Sequence, residues 1–304
     1  ILVTYYVIGV IMVGVITTIR KQGLTSPAVY FAAYIVGIEL LARMVSSPLP
    51  WEFGKYSIIF FLSLGYIFDN SRILQRKIQW VFWLIILLIP ALFQTFSWSN
   101  NIQIDLSSSA SGMACMVVCI IYFQGREMLF DHFKRILSYM LLPIISIVSY
   151  LLIKTPDFET IEYVSAANFE TSGGFGPNQV ASVLGFGWLV IVAINLSRDK
   201  FTSFLLLDIL LAAYILFRSL FTFSRGGNLG ALCALIVFIT ISIIYRKSHF
   251  FSLKSIIGFF VFLVICLGVV EFINQKTDNV FEYRFSGKNT IGEAKEDMSA
   301  NRMN

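Results

Sequence analysis

The stretch LLLDILLAAYILFRSLFTFSRGGNLGALCALIVFITISIIY, Leu205 to Tyr245, joins two apolar runs through one short polar turn. At 1.5 Å per residue each run is close to the length needed to cross roughly 30 Å of hydrocarbon, and each is apolar on every face rather than along one stripe. The turn carries Arg225, and Arg218 stands seven residues before it, inside the first run. A charge within such a run is costly, which marks this stretch as a place where polar chemistry enters a membrane.

The same pattern fills the chain. Its 304 residues are 57% hydrophobic and 13% charged, with a mean hydropathy of +0.77. A soluble domain of that composition would leave much of its apolar surface in water, so the composition points to an integral membrane protein. Helices are implied rather than a barrel, because runs such as WVFWLIILLIPALFQTF (Trp80 to Phe96) lack the alternation of a barrel wall. The expected fold is an all-α polytopic membrane protein with about ten transmembrane helices. The segments run from Ile1 to Ile19, Pro27 to Arg43, Phe53 to Phe68, Trp80 to Ser97, Ser107 to Phe123, Ile136 to Ile153, Pro177 to Leu196, Phe204 to Phe223, Asn228 to Tyr245 and Ser255 to Ile273. A multispanning domain over 1–273 is thus followed by 274–304, read as the start of a large external loop.

Loop charge orients the segments, because Lys and Arg gather on the cytoplasmic side. RKQGLTS, DNSRILQRKIQ, GREMLFDHFKR, SRDKFT and RKSHFFSLK form the cationic set. The alternate set, VSSPLPWEFGK, SNNIQID, the long loop before Pro177, the SRGG turn and the tail, lies outside. On this reading Ile1 is external and the tail breaks off mid-pattern, so the chain reads as an internal piece lacking both ends. The net charge of +5 sits on the cytoplasmic anchors and fits anionic lipid headgroups, not nucleic acid.

Some polar residues have simple structural readings. Cys115, Cys119, Cys233 and Cys266 all fall in apolar segments and read as small core residues. His132 and His249 fall in cationic loops. Glu39 and Arg43, one helical turn apart, neutralise each other, and Asp208 reads as structural. Trp51 and Trp98 read as interface anchors.

A candidate site gathers on the external side. Arg218 and Arg225 share nearly one helix face if the helix continues into the turn. In ETSGGFGPNQVASVLGFG, Gly174 and Gly176 precede Pro177, which suits a first helical position and predicts a helix start. Unpaired amides and the helix dipole make such a start anion-tolerant, and Asn178 adds side-chain donors. Ser224 is placed to cap the next helix. Arg284 in the tail adds another cation on the same side. Two or three arginines with helix-start amides match a lipid phosphate or diphosphate. The external segments hold no carboxylate cluster with metal-like spacing, so no metal or cofactor is expected.

GGFGPNQVA, FTFSRGGNLGAL and the external Ser299 to Arg302 in SANRMN resemble the O-antigen ligase and Wzy polymerase superfamily of bacterial inner-membrane glycosyltransferases. The resemblance runs from about Phe169 onward, and the SRG turn is its most recognisable part; the first half matches only as a string of spans. It implies metal-independent transfer of a glycan from undecaprenyl diphosphate to an acceptor, another glycan or the lipid A core, on the periplasmic face. Arg225 and Arg302 would be the catalytic arginines, stabilising the diphosphate as it leaves. Arg218, Ser224, Gly174, Gly176, Asn178 and Arg284 would line the substrate site. Family ligases also use a histidine further along the external loop, and this chain has no external histidine. The alternatives are a secondary transporter or exporter of an anionic substrate, which would place charges near mid-span, and a non-catalytic subunit of a polysaccharide export complex.

Overall fold

The computed structural model describes residues 2–21, 27–68, 86, 102–156, 160–163, 166–197, 199–244 and 253–286. Ten helices occur among them: α1 (Leu2–Arg20), α2 (Pro27–Met44), α3 (Phe53–Ile67), α4 (Ile102–Phe123), α5 (Phe130–Lys154), α6 (Pro177–Leu196), α7 (Leu205–Leu220), α8 (Arg225–Ile244), α9 (Leu253–Lys276) and α10 (Val280–Ser286). Five contain a stretch long and apolar enough to cross a membrane: α1, α2, α5, α6 and, within α8, Arg225–Ser242. The chain is an α-helical membrane protein, with helices and no strands among the described residues.

The expected count of about ten crossings is not carried by these helices. With 15 and 16 residues, α3 and α7 reach only about 22 to 24 Å at 1.5 Å per residue, short of a hydrocarbon core. Apart from Ile86, the expected segment from Trp80 to Ser97 lies outside the described residues, as do His249, Trp98 and Arg302. Boundaries also shift. The start expected at Ile136 falls at Phe130, which brings His132 from a loop into a first helical turn, where its Nδ1 meets the Tyr30 hydroxyl at 2.9 Å.

The chain divides into two compact units, Ile1–Pro143 and Ile144–Asn304, with the division at the proline inside α5. In the first, α2 packs on α1 and α3, and α3 on α4. Gly14 allows a close approach: a Cβ there would meet the rings of Phe61 and Phe31 at 2.6 to 2.8 Å. Those rings stack with centroids 5.8 Å apart. Glu39 and Arg43 form the ion pair their spacing predicted. Arg43 also donates to the Trp51 carbonyl at 2.9 Å and lies 4.6 Å from that indole, so Trp51 anchors a cation as well. Cys115 and Cys119 are half-buried, and Cys233 in the second unit is exposed on α8. The core reading of the cysteines is corrected there, because α8 leaves its apolar face, including Leu229, Leu232 and Ile236, without a covering helix among the described residues.

In the second unit α6 is central, packed on α7 and α8, while α7 packs on α9 and α9 on α10. Asp208 is fully buried near the start of α7, where it accepts from the amides of Phe201 and Thr202 at 2.8 Å and from the Thr202 hydroxyl at 2.6 Å. It holds the loop that leads into the helix.

Candidate functional site

Pro177 opens α6 as expected, with Gly176 at the N-cap. Gly173 and Gly174 take left-handed φ values of 68° and 77°, which turn the chain toward that start. The amides of Gln179 and Val180 fold back onto the Gly176 carbonyl at 3.0 and 3.1 Å, so part of the first turn is already satisfied. Asn178 is exposed, and its Oδ1 accepts from the Ser224 hydroxyl at 2.8 Å. Ser224 therefore ties two helix starts together, and no amide of α8 donates to its side chain among the described residues.

Between α7 and α8 the chain makes a tight turn over 221–224, with Phe223 at a φ of 57°. A bulky residue rarely adopts that region, and here its neighbours hold it. Phe223 stacks on Tyr163 at 5.9 Å and meets Phe281 edge-on at 5.6 Å. Ile161, Leu220, Phe221, Ile273 and Val280 complete an apolar cluster around it. Residues 280–286, read from sequence as loop, are instead the helix α10, because Val280 and Phe281 bury against this cluster. Asn168 fastens the preceding loop, its amide donating to the Thr222 carbonyl at 3.0 Å and its Oδ1 accepting from the Thr171 amide at 3.1 Å.

This turn places Arg225 as the first residue of α8, exposed, with no hydrogen bond or ion pair among the described residues. Arg284 on α10 reaches the same turn, where its Nε donates to the Phe223 carbonyl at 3.4 Å. Burial, and then the like charge of Arg225, hold the Arg284 guanidinium below its ordinary range. Arg225, Arg284, Ser224 and Asn178 thus meet at one end of the second unit, with Gly174 and Gly176 on the loop entering α6.

Arg218 does not join them. The face it was expected to share with Arg225 ends at Leu220, since the helix stops there and Arg225 belongs to the next one. Only 1% exposed, Arg218 points its Nη2 at the carbonyls of Leu151 (3.0 Å) and Thr171 (3.4 Å) and at the Thr155 hydroxyl.

Three positioning residues escaped the sequence reading. Asn228 donates to the carbonyls of Ser219 (3.2 Å) and Ser224 (2.7 Å) and accepts from the Ser219 hydroxyl at 2.6 Å, closing the turn across its base. Ser219 and Asn168 are the other ends of that bracing. Asn228→Ala removes the donor to two carbonyls at about 1–3 kcal/mol for each that stays unsatisfied. Denaturant unfolding in detergent is expected to show that loss, with exposed Gln179→Ala within about 0.5 kcal/mol of wild type.

Tyr163 faces the same cluster. Burial, and then the negative charge of Glu170, push its hydroxyl from 10.0 up to about 12. A folded-state value above the unfolded one gives stability that is present below pH 10.0 and is lost as pH rises toward about 12. Tyr163→Phe is expected to flatten that part of the alkaline unfolding curve, read as stability against pH.

No family model matches the chain, and no curated protein or solved structure does either.

Proposed function

We propose that this chain carries the donor site of a bacterial inner-membrane glycosyltransferase of the O-antigen polymerase or ligase type. The reaction moves a glycan from undecaprenyl diphosphate to an acceptor sugar hydroxyl, on another glycan or the lipid A core, at the periplasmic face. The observation that carries this reading is the meeting of Arg225 and Arg284 at one braced turn, with Arg225 exposed and unpaired among the described residues. Two like charges held this close are relieved by an anion between them, and a diphosphate is the lipid-linked anion with enough charge to do so. As the bond from the sugar to the diphosphate breaks, its electron pair stays on the leaving oxygen. Arg225 meets that growing charge while the acceptor hydroxyl oxygen bonds to the sugar carbon and its proton passes to solvent water. Arg302 belongs to the same reading as a second catalytic arginine. Arg218 leaves it, because its donors turn toward Leu151, Thr155 and Thr171.

The test is full-length protein in proteoliposomes with an undecaprenyl-diphosphate glycan and an acceptor. Release of undecaprenyl diphosphate together with glycan transfer is expected. Uptake of substrate without bond cleavage would replace this reading with the transporter.

A further inference from the structure

Arg218 poses a separate question. Its charge is buried, its acceptors are neutral carbonyls and a hydroxyl, and no carboxylate pairs with it among the described residues. Its Nε is buried without a hydrogen-bond partner, and so is the hydroxyl of Tyr214 one turn earlier. Buried charges in a membrane protein are paired or face a cavity, and here both unpartnered groups belong to residues on the wall of one cavity of about 720 Å³.

The remaining wall is apolar and regular. Leu210, Tyr214 and Phe217 line it from α7, and Ile265, Val269 and Phe272 from α9. Each set recurs at three- and four-residue spacing, so two helical stripes face each other across a groove. Seven residues of helix make that groove about 10 Å long, on the scale of one leaflet's hydrocarbon rather than a full crossing. The charge lies toward the C-terminal end of the α7 stripe, at Arg218, two residues before the helix stops.

We infer that this groove binds an anionic phospholipid of the surrounding bilayer, with its phosphate at Arg218 and Tyr214 and one acyl chain between α7 and α9. A single guanidinium suits one phosphodiester charge, and the length of the stripe suits one acyl chain. A neutral or zwitterionic lipid would leave the buried cation without net compensation. The inference is independent of the glycosyl-transfer reading, whose residues lie at the turn beyond α7.

Gly268 offers a clean test. It lines the groove, and a Cβ built on it meets nothing within 4 Å among the described residues, so a larger side chain there grows into the groove. Delipidated full-length protein would be titrated with dioleoyl phosphatidylglycerol, dioleoyl phosphatidylcholine and inorganic phosphate, with occupancy read by native mass spectrometry. Phosphatidylglycerol is expected to bind at one site at least about tenfold more tightly than phosphatidylcholine. Gly268→Leu is expected to weaken that binding about tenfold with an unchanged unfolding temperature, and Arg218→Gln to erase the preference between the two lipids. Equal affinity for both lipids in wild type, full displacement by inorganic phosphate, or unaltered phosphatidylglycerol binding in Gly268→Leu would each overturn the proposal. Should Arg218→Gln fail to fold, the Gly268→Leu arm decides alone.

Discussion

Arg225→Ala in the full-length protein is expected to lower glycan transfer about 10²- to 10³-fold, the scale for removing one preorganised donor from a developing anion. Stability is expected to stay within about 0.5 kcal/mol of wild type, because the side chain is exposed and holds nothing among the described residues. That separation is the informative part: Arg225 is supported by Ser224, Asn228 and the aromatic cluster but supports none of them. Arg225→Lys is expected to recover only part of the rate, since a lysine keeps the charge and loses the fork that spans two phosphate oxygens. Arg284→Ala is expected to act mainly on donor affinity and its salt dependence, since Arg284 already spends its Nε on the Phe223 carbonyl. Transfer rates and unfolding curves on the same preparations separate the outcomes. Undiminished transfer by Arg225→Ala sinks the site assignment, and a loss of rate that tracks a loss of fold makes the arginine structural.

The parts of the fold and of this site that were legible in the sequence are those set by local chemistry. Pro177 after glycines predicts a helix start because proline lacks the amide a first turn leaves unpaired, and α6 begins there. The Glu39 and Arg43 pair follows from a four-residue spacing on one helix. Arg218 went the other way. Its supposed alignment with Arg225 assumed a period of 3.6 residues across 221–224, and the helix stops because Phe223 takes a left-handed conformation. What holds Phe223 there is contact with Tyr163 and Phe281, each about sixty residues away in sequence. No local propensity encodes such contacts. The same holds for α10, whose seven residues gain their place by burying Val280 and Phe281, and for Asn168 and Asn228, polar residues whose partners only the fold defines.

The two glycines of SRGG are expected to behave in opposite ways on substitution by alanine. A Cβ on Gly227 would stand 2.5 Å from the Ser182 amide nitrogen and 2.6 Å from the Ala181 carbonyl carbon, both backbone atoms of α6. Neither can rotate away, so α6 and α8 must separate. The contact partner at Gly185 tightens the crossing further, because a Cβ there would lie 3.0 Å from the Gly227 carbonyl oxygen. Close backbone approach of this kind is how helices associate where water supplies no hydrophobic drive. Gly227→Ala is therefore expected to cost about 1–3 kcal/mol in denaturant unfolding. It is also expected to lower transfer by up to about 10²-fold, since a shift near 1 Å at the first turn of α8 carries Arg225 with it. Gly226 stands on the other side of the same turn, where a Cβ meets nothing within 4 Å among the described residues. Gly226→Ala is expected to leave stability unchanged or slightly raised, as alanine is the better helix former. A fall in transfer for Gly226→Ala at full stability would place the bound donor directly over the first turn of α8. Equal unfolding curves for the two variants would instead show that the α6 and α8 crossing does not set the position of Arg225.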